Sequence, residues 1–152
     1  SSDAEKIGKR VLELARANNL NPMAVAVLAA SGQLLFFRME DGNPLLREAI
    51  ARGKAVGALG LGMDSAGIAK TYAERPGFVT SAIALTGGSL IPAAGGVVVR
   101  DPKTNAVLGA VGVSGDLSDK DEACAIEAIR AAGFSCAAIK ENRPQTLIKA
   151  SL

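Results

Sequence analysis

Apolar residues recur at Ile7, Val11, Leu14 and Ala15, and Ser2 followed by Glu5 has capping-box spacing. The chain is therefore expected to open with an amphipathic helix, broken at Asn18-Asn19. Met23 to Ala29 and Gln33 to Glu40 are short β-rich runs joined by Ala30-Ser31-Gly32, which predicts an antiparallel hairpin. On the second run Leu35, Phe37 and Met39 share one face while Leu34, Phe36 and Arg38 share the other, so both faces are expected to be covered. After the polar break Glu40-Asp41-Gly42-Asn43-Pro44, the segment Leu45 to Leu61 suits a helix packed closely on the sheet and ended by Gly60 and Gly62. Asp64 is expected to cap a short helix reaching about Tyr72, and Arg75-Pro76-Gly77 to turn the chain.

From Phe78 to Gly96, β-branched residues alternate with Gly87-Gly88, Pro92 and Gly95-Gly96, a composition that predicts short strands and a backbone-lined loop. Val97 to Arg100 and Val107 to Val113 flank Asp101-Pro102-Lys103-Thr104-Asn105 as a second hairpin. Ser118 is expected to cap the last helix, with Asp119, Asp121 and Glu122 in its first turn, Ala125, Ala128, Ile129 and Ala132 as its apolar stripe, and Gly133 at its end. The order is helix, two strands, one or two helices, about three strands, helix. It predicts an α+β domain over residues 1–133 with a largely antiparallel sheet between helical layers. Residues 134–152 contain Pro144 and no clear period after Ala138, and are expected to form a tail docked on this or a neighbouring subunit.

Composition narrows the possibilities. At 152 residues and 49% hydrophobic content the chain supports one core without disulfides or metal. Its only aromatics are Phe36, Phe37, Tyr72, Phe78 and Phe134, so the core is built of Ala, Val, Leu and Ile, with 17 glycines permitting close backbone approach. A net charge of +2 with mixed signs argues against nucleic-acid binding. Apolar stretches are interrupted before about 18 residues and the chain starts on a polar helix signal, which predicts a soluble, cytoplasmic protein without membrane contact. Cys124 and Cys136 are read as reduced. The absence of histidine removes Ser-His-Asp and Cys-His catalysis and HExxH zinc chemistry together.

Several segments carry candidate chemistry. Gly112-Val113-Ser114-Gly115-Asp116 lacks both the spacing and the base of a nucleophile elbow, which excludes a serine hydrolase. It is either a glycine turn into a capped helix or a set of amides, with Gly112 and Ser114, facing an anionic ligand group. Gly87, Gly88, Gly95 and Gly96 serve turns or let a flat ligand approach the backbone. Lys54 lies either on a wet helix face with Arg47 and Arg52, or near Glu40-Asp41, with its amine orienting a carboxylate or acting as a base. Glu40 and Asp41 are solvated turn residues, acid/base groups or metal ligands. Asp119, Asp121 and Glu122 are ordinary first-turn acids, and no metal site is assigned to them.

Five segments in order carry a resemblance. They are Arg38-Met39-Glu40-Asp41-Gly42, Ala51-Arg52-Gly53-Lys54-Ala55, Pro76-Gly77-Phe78, Gly87-Gly88 through Ile91-Pro92, and Val107 to Gly115 with Asp121-Glu122. Together, over about residues 7 to 133, they resemble the GlcG/HbpS-like, or haem-degrading domain, family. The resemblance implies a profilin-like fold with a five-stranded antiparallel sheet between helices. It also implies a homo-oligomer built from dimers, up to an octamer. Members include haem-binding redox sensors and the C-terminal domain of PduO-type adenosyltransferases. This chain departs from the family pattern after Lys54-Ala55, where Val56-Gly57-Ala58 and then Gly60-Leu61-Gly62-Met63-Asp64-Ser65 stand. Haem ligation without histidine would need Tyr72, a Met such as Met39, a thiolate or a weaker oxygen ligand.

The leading expectation is a small-molecule pocket protein doing proton-transfer chemistry on a carbonyl-containing metabolite. Lys54, Glu40 and Asp41 would be its reactive groups, and Arg38, Gly87, Gly88, Gly112 and Ser114 would contact the ligand. The alternative is a non-catalytic haem or tetrapyrrole binder, acting as carrier or sensor. Haem is the one candidate cofactor.

Overall fold

The computed structural model of the chain describes residues 2–136 and 148–149. Helix α1 (Ser2–Ala17) buries the stripe Ala4, Ile7, Val11, Leu14 and Ala15, the spacing that puts one apolar face of a helix on a sheet. The hairpin β1 (Ala24–Ala29) and β2 (Leu34–Met39) follows, then α2 (Arg47–Leu61), α3 (Ala66–Thr71) and α4 (Pro76–Leu85). The chain continues through β3 (Gly96–Arg100), β4 (Val107–Ser114) and α5 (Ser118–Ala131).

All strand pairs are antiparallel and the sheet order is β2-β1-β4-β3. Val25, Val27, Val97, Val99, Val111 and Val113 point to one face and join α1 and α5 in the main core. Leu28, Val98 and Ala110 point to the other face, beneath Ala55 and Ala58 of α2. The two helical layers thus cover both faces of the inner strands, as the alternation predicts. On the α2 side the approach is backbone to backbone: a methyl at Gly112 would overlap the Ala51 carbonyl oxygen, and one at Gly96 the Lys54 carbonyl oxygen.

The sheet has four strands among the described residues, not five, and the outer edge of β3 shows why. The Val98 N–H donates to Asp64 Oδ1 at 3.0 Å, and the Gly96 N–H to Ser65 Oγ at 2.7 Å. The Ser65 N–H in turn donates to the Gly96 carbonyl at 2.9 Å. Side chains therefore occupy the hydrogen-bonding positions that a further strand would need. Among the described residues, what pairs beyond them is Ser135, bridged to Arg100. Asp64, engaged in this way, is not the cap of α3; that position falls to Ser65, which makes no side-chain cap bond there.

The segment expected to form strands after Phe78 instead carries helix α4. Pro76 stands in its first turn, where a missing N–H and a fixed φ favour helix start. Thr80 donates from Oγ1 to the Pro76 carbonyl at 3.2 Å. These local signals override the β propensity of Val79, Thr80 and Ile83. Gly87 and Gly88, with φ of 65° and 85°, end the helix. Their N–H groups return to the carbonyls of Ala84 and Ile83, the Schellman arrangement. No residue of α4 is buried.

Two smaller expectations also change. Leu117, not Ser118, holds the N-cap position of α5, with no side-chain cap bond. Strand β2 is covered on one side only in its middle: Phe36 packs over Gly8 of α1, while Leu34 and Leu35 stay 39% and 37% exposed. The cause is position, because β2 is the outer strand and the α2 layer lies over β1, β4 and β3. Of the tail, Ile148 is buried in the main core, and Lys149 exchanges two hydrogen bonds with the Asn18 side chain. The other residues from 137 onward lie outside the described residues.

Candidate functional site

Two polar assemblies lie at the end of the sheet where β4 runs into α5. The first is buried. Lys54 projects from α2 past Gly95 and Gly96, and a methyl at Gly95 would come within 2.9 Å of Lys54 Cδ and Nζ. These glycines admit the protein's own lysine. Its ammonium donates to the Val113 carbonyl at 2.9 Å and to Asp121 Oδ2 at 3.2 Å. The two side chains are 2% and 0% exposed. Asp121 also accepts the Gly115 N–H at 3.3 Å and the Asp116 N–H at 2.9 Å. Burial pulls the Lys54 amine below the ordinary lysine range and pushes the Asp121 carboxyl up, and in each the partner's charge opposes the shift. The pair and its backbone donors hold the β4–α5 turn to α2.

At the edge of this pair Arg47 donates from Nη1 to Ser114 Oγ at 3.0 Å. Ser114 is fully buried and Arg47 half-buried. Asp116 accepts the Asn21 N–H at 2.8 Å and the Leu117 N–H at 2.8 Å. The Asn21 bond is the larger cause that lowers its carboxyl below the ordinary aspartate value. Because that value is lower in the folded chain, the contribution is complete above the unfolded pKa of about 4 and disappears as pH falls through the folded value. Acid unfolding monitored by circular dichroism should therefore show a shallower loss of stability below about pH 4 in Asp116→Asn than in the parent. Identical acid limbs would remove Asp116 from the turn's stability.

The second assembly is an open basin of about 780 Å³ between α1 and the end of β2. Lys9, Leu12, Glu13 and Arg16 line it from α1, and residues 38 to 41 from β2 and the following turn. Most of its charges are matched. Arg16 pairs with Glu40 at 3.1 Å and donates to the Leu20 and Asn21 carbonyls. Glu40 also accepts the Met23 N–H at 2.8 Å. Lys9 pairs with Glu5 at 2.6 Å, and Glu13 with Arg10 at 3.3 Å. The Arg38 and Asp41 side chains are exposed and make no hydrogen bond or ion pair among the described residues.

The residues singled out from the sequence thus fall into three places. Lys54 and Ser114 belong to the buried assembly, Gly112 lies under Ala51 and Ala55 of α2, Arg38, Glu40 and Asp41 line the basin, and Gly87 and Gly88 form the cap that ends α4. Asp121, the partner of Lys54, and Arg47, the partner of Ser114, were legible only as a first-turn acid and a helix-face cation. Nothing local marks either pairing, because 67 residues separate the members of each pair. No group of three or more His, Cys, Asp or Glu side chains able to hold a metal occurs among the described residues. Cys124 is buried with its thiol pushed up to about 12, and burial also raises Cys136, the opposite of what a reactive thiolate needs. No helix among the described residues is long and apolar enough to cross a membrane.

Comparison with known proteins places this arrangement. Among solved structures, PduOC, determined as a haem complex, superposes with a TM-score of 0.78 at 19% identity over 88% of this chain and 94% of that one. HbpS gives 0.72 at 25% identity, covering 86% of each chain. The Klebsiella pneumoniae protein ORFY gives 0.73 at 23%, covering 86% of this chain and 89% of that one. No curated protein matches the chain by sequence. The family profile described as haem degrading protein HbpS-like matches residues 1–130. The chain belongs to the HbpS-like haem-degrading protein family.

Proposed function

We propose that this chain is a non-catalytic binder of haem-class tetrapyrroles, a carrier or sensor, working as a homo-oligomer assembled from dimers. The observation that carries the reading is the α1–β2 basin with its unpaired Arg38. A porphyrin is a flat apolar ring with carboxylates along one edge. A volume of about 780 Å³ suits such a ligand, within the range of about 300–1,000 Å³ usual for small-molecule sites. Leu12 and the aliphatic stems of Lys9 and Arg16 offer apolar wall, and the Arg38 guanidinium offers two parallel donors to a carboxylate. The family's description and the haem complex of PduOC support the same ligand class.

Proton transfer by Lys54 has less behind it. The Lys54 side chain is 2% exposed and its amine already bonded to Asp121, so substrate access would require opening the α2–β4 contact. Assembly would give cover to apolar side chains left at the surface: Leu45, Leu46 and Leu85 are 85%, 67% and 89% exposed.

Titration of the purified chain with haemin should give a saturable Soret shift at micromolar concentration, weakened about tenfold in Arg38→Glu, the effect of losing one charge-assisted contact. A wild-type protein with no saturable shift would sink the reading.

A further inference from the structure

We infer that the basin recognises the porphyrin macrocycle and its carboxylates and not the metal ion, so that a metal-free porphyrin binds as tightly as its iron complex. The inference rests on the tetrapyrrole reading above and narrows its ligand class. It follows from an accounting, within one protomer, of the side chains that ligate haem iron, which are His, Cys thiolate, Met and Tyr. The whole chain holds no His, two Cys, three Met and one Tyr, and each of those six has a described position.

Cys124 lies on the core face of α5 and is fully buried. Cys136 follows Ser135, whose bridge to Arg100 lies at the opposite end of the sheet from the basin. Tyr72 stacks on Phe78 with ring centroids 4.4 Å apart in the α3–α4 corner, with the Arg75 guanidinium 5.5 Å from its ring centre. Met23 is fully buried in the main core. Met63 sits at the α2–α3 junction, its sulfur facing Gly67.

Met39 alone borders the basin, but it pairs with Ala24 while Arg38 pairs with Val25. Cross-strand partners share a face, and Val25 belongs to the α1 side, so the Met39 side chain leaves β2 on the opposite side. Of the remaining donors, Lys9, Glu13 and Glu40 are already engaged, which leaves the exposed Asp41 carboxylate as a weak oxygen ligand. The residues fit the ring and its carboxylates and do not fit the iron.

The test compares haemin with metal-free protoporphyrin IX on the full chain, by Soret titration and by porphyrin fluorescence. Dissociation constants within about threefold of each other are expected, both raised about tenfold by Arg38→Glu. Bound ferric haem should remain high-spin, with a spectrum that is the same in Met39→Leu. Added imidazole should convert it to a low-spin form without releasing the porphyrin. Haemin binding more than tenfold tighter than the metal-free ring, or a low-spin spectrum lost in Met39→Leu, would overturn the inference while leaving the tetrapyrrole reading intact. Both ligands binding with no effect of Arg38→Glu would remove the basin as the site. If neither porphyrin binds, reading and inference fall together.

Discussion

Asp121→Ala should lower the free energy of unfolding by about 3–5 kcal/mol, the usual consequence of leaving a buried charge without its partner. The Lys54 ammonium is 2% exposed and its counter-ion lies 3.2 Å away. Without that counter-ion it must either lose its proton or draw water into the α2–β4 contact. The Gly115 and Asp116 amides lose their acceptor at the same time, which adds an unsatisfied-donor cost of about 1–3 kcal/mol when no water replaces it. Urea denaturation at neutral pH measures the loss, and a matching unfolding slope shows that the folded state has kept its compactness. The double variant Lys54→Met, Asp121→Leu should recover much of the deficit, because replacing a buried pair by apolar groups of similar size is often neutral. A loss below about 1 kcal/mol in Asp121→Ala would mean that the lysine is neutral or solvated, and would reopen it as a proton-transfer group.

Gly112→Ala should be nearly as damaging, at about 3 kcal/mol, the upper part of the range for overpacked interiors. The added methyl would overlap the Ala51 carbonyl oxygen and meet the Ala55 amide nitrogen at 3.0 Å, and neither is a flexible side chain that can swing aside. Relief requires α2 to rise from the sheet, which pulls on Lys54 one turn further along. Gly60→Ala is the contrasting case. Gly60 lies in α2 with open space where its Cβ would go, so the substitution should stabilise by about 0.5–1 kcal/mol through helix propensity. Thermal unfolding of the two variants side by side separates them. Equal effects would show that the α2–sheet contact has more room than its backbone geometry allows.

The two large effects concern residues whose importance the sequence displays unequally. Gly112 stands out in the run Gly109 to Gly115, but a glycine at that point reads equally as a turn, an anion cradle or a close contact. Register decides among them: Gly112 pairs with Ala26 and Gly96 in the middle of the sheet, directly under α2. Lys54 reads as a wet helix residue or a reactive amine. It is instead 2% exposed, its side chain lying against Gly95, where a methyl would collide with it, and its ammonium against Asp121.

Local pattern determined the helical face of α1, both hairpins, the start and end of α2 to within two residues, and the placement of Gly62 and Gly133 at helix ends. Each depends on residues within one turn or one strand of each other, whose period and backbone preferences act before any long-range contact forms. The ordered motifs from Arg38 to Glu122 placed the chain in its family for a related reason, since spacing along the chain survives where identity falls to about a quarter. Tertiary structure alone decided the rest. It ended the sheet at four strands by setting Asp64 and Ser65 against β3, joined Lys54 to Asp121, and left the Arg38 side chain unpaired over a basin while its neighbour Met39 turned away. Those outcomes depend on which surfaces meet across tens of residues, and a side chain's charge or period carries no record of the partner it will be folded against.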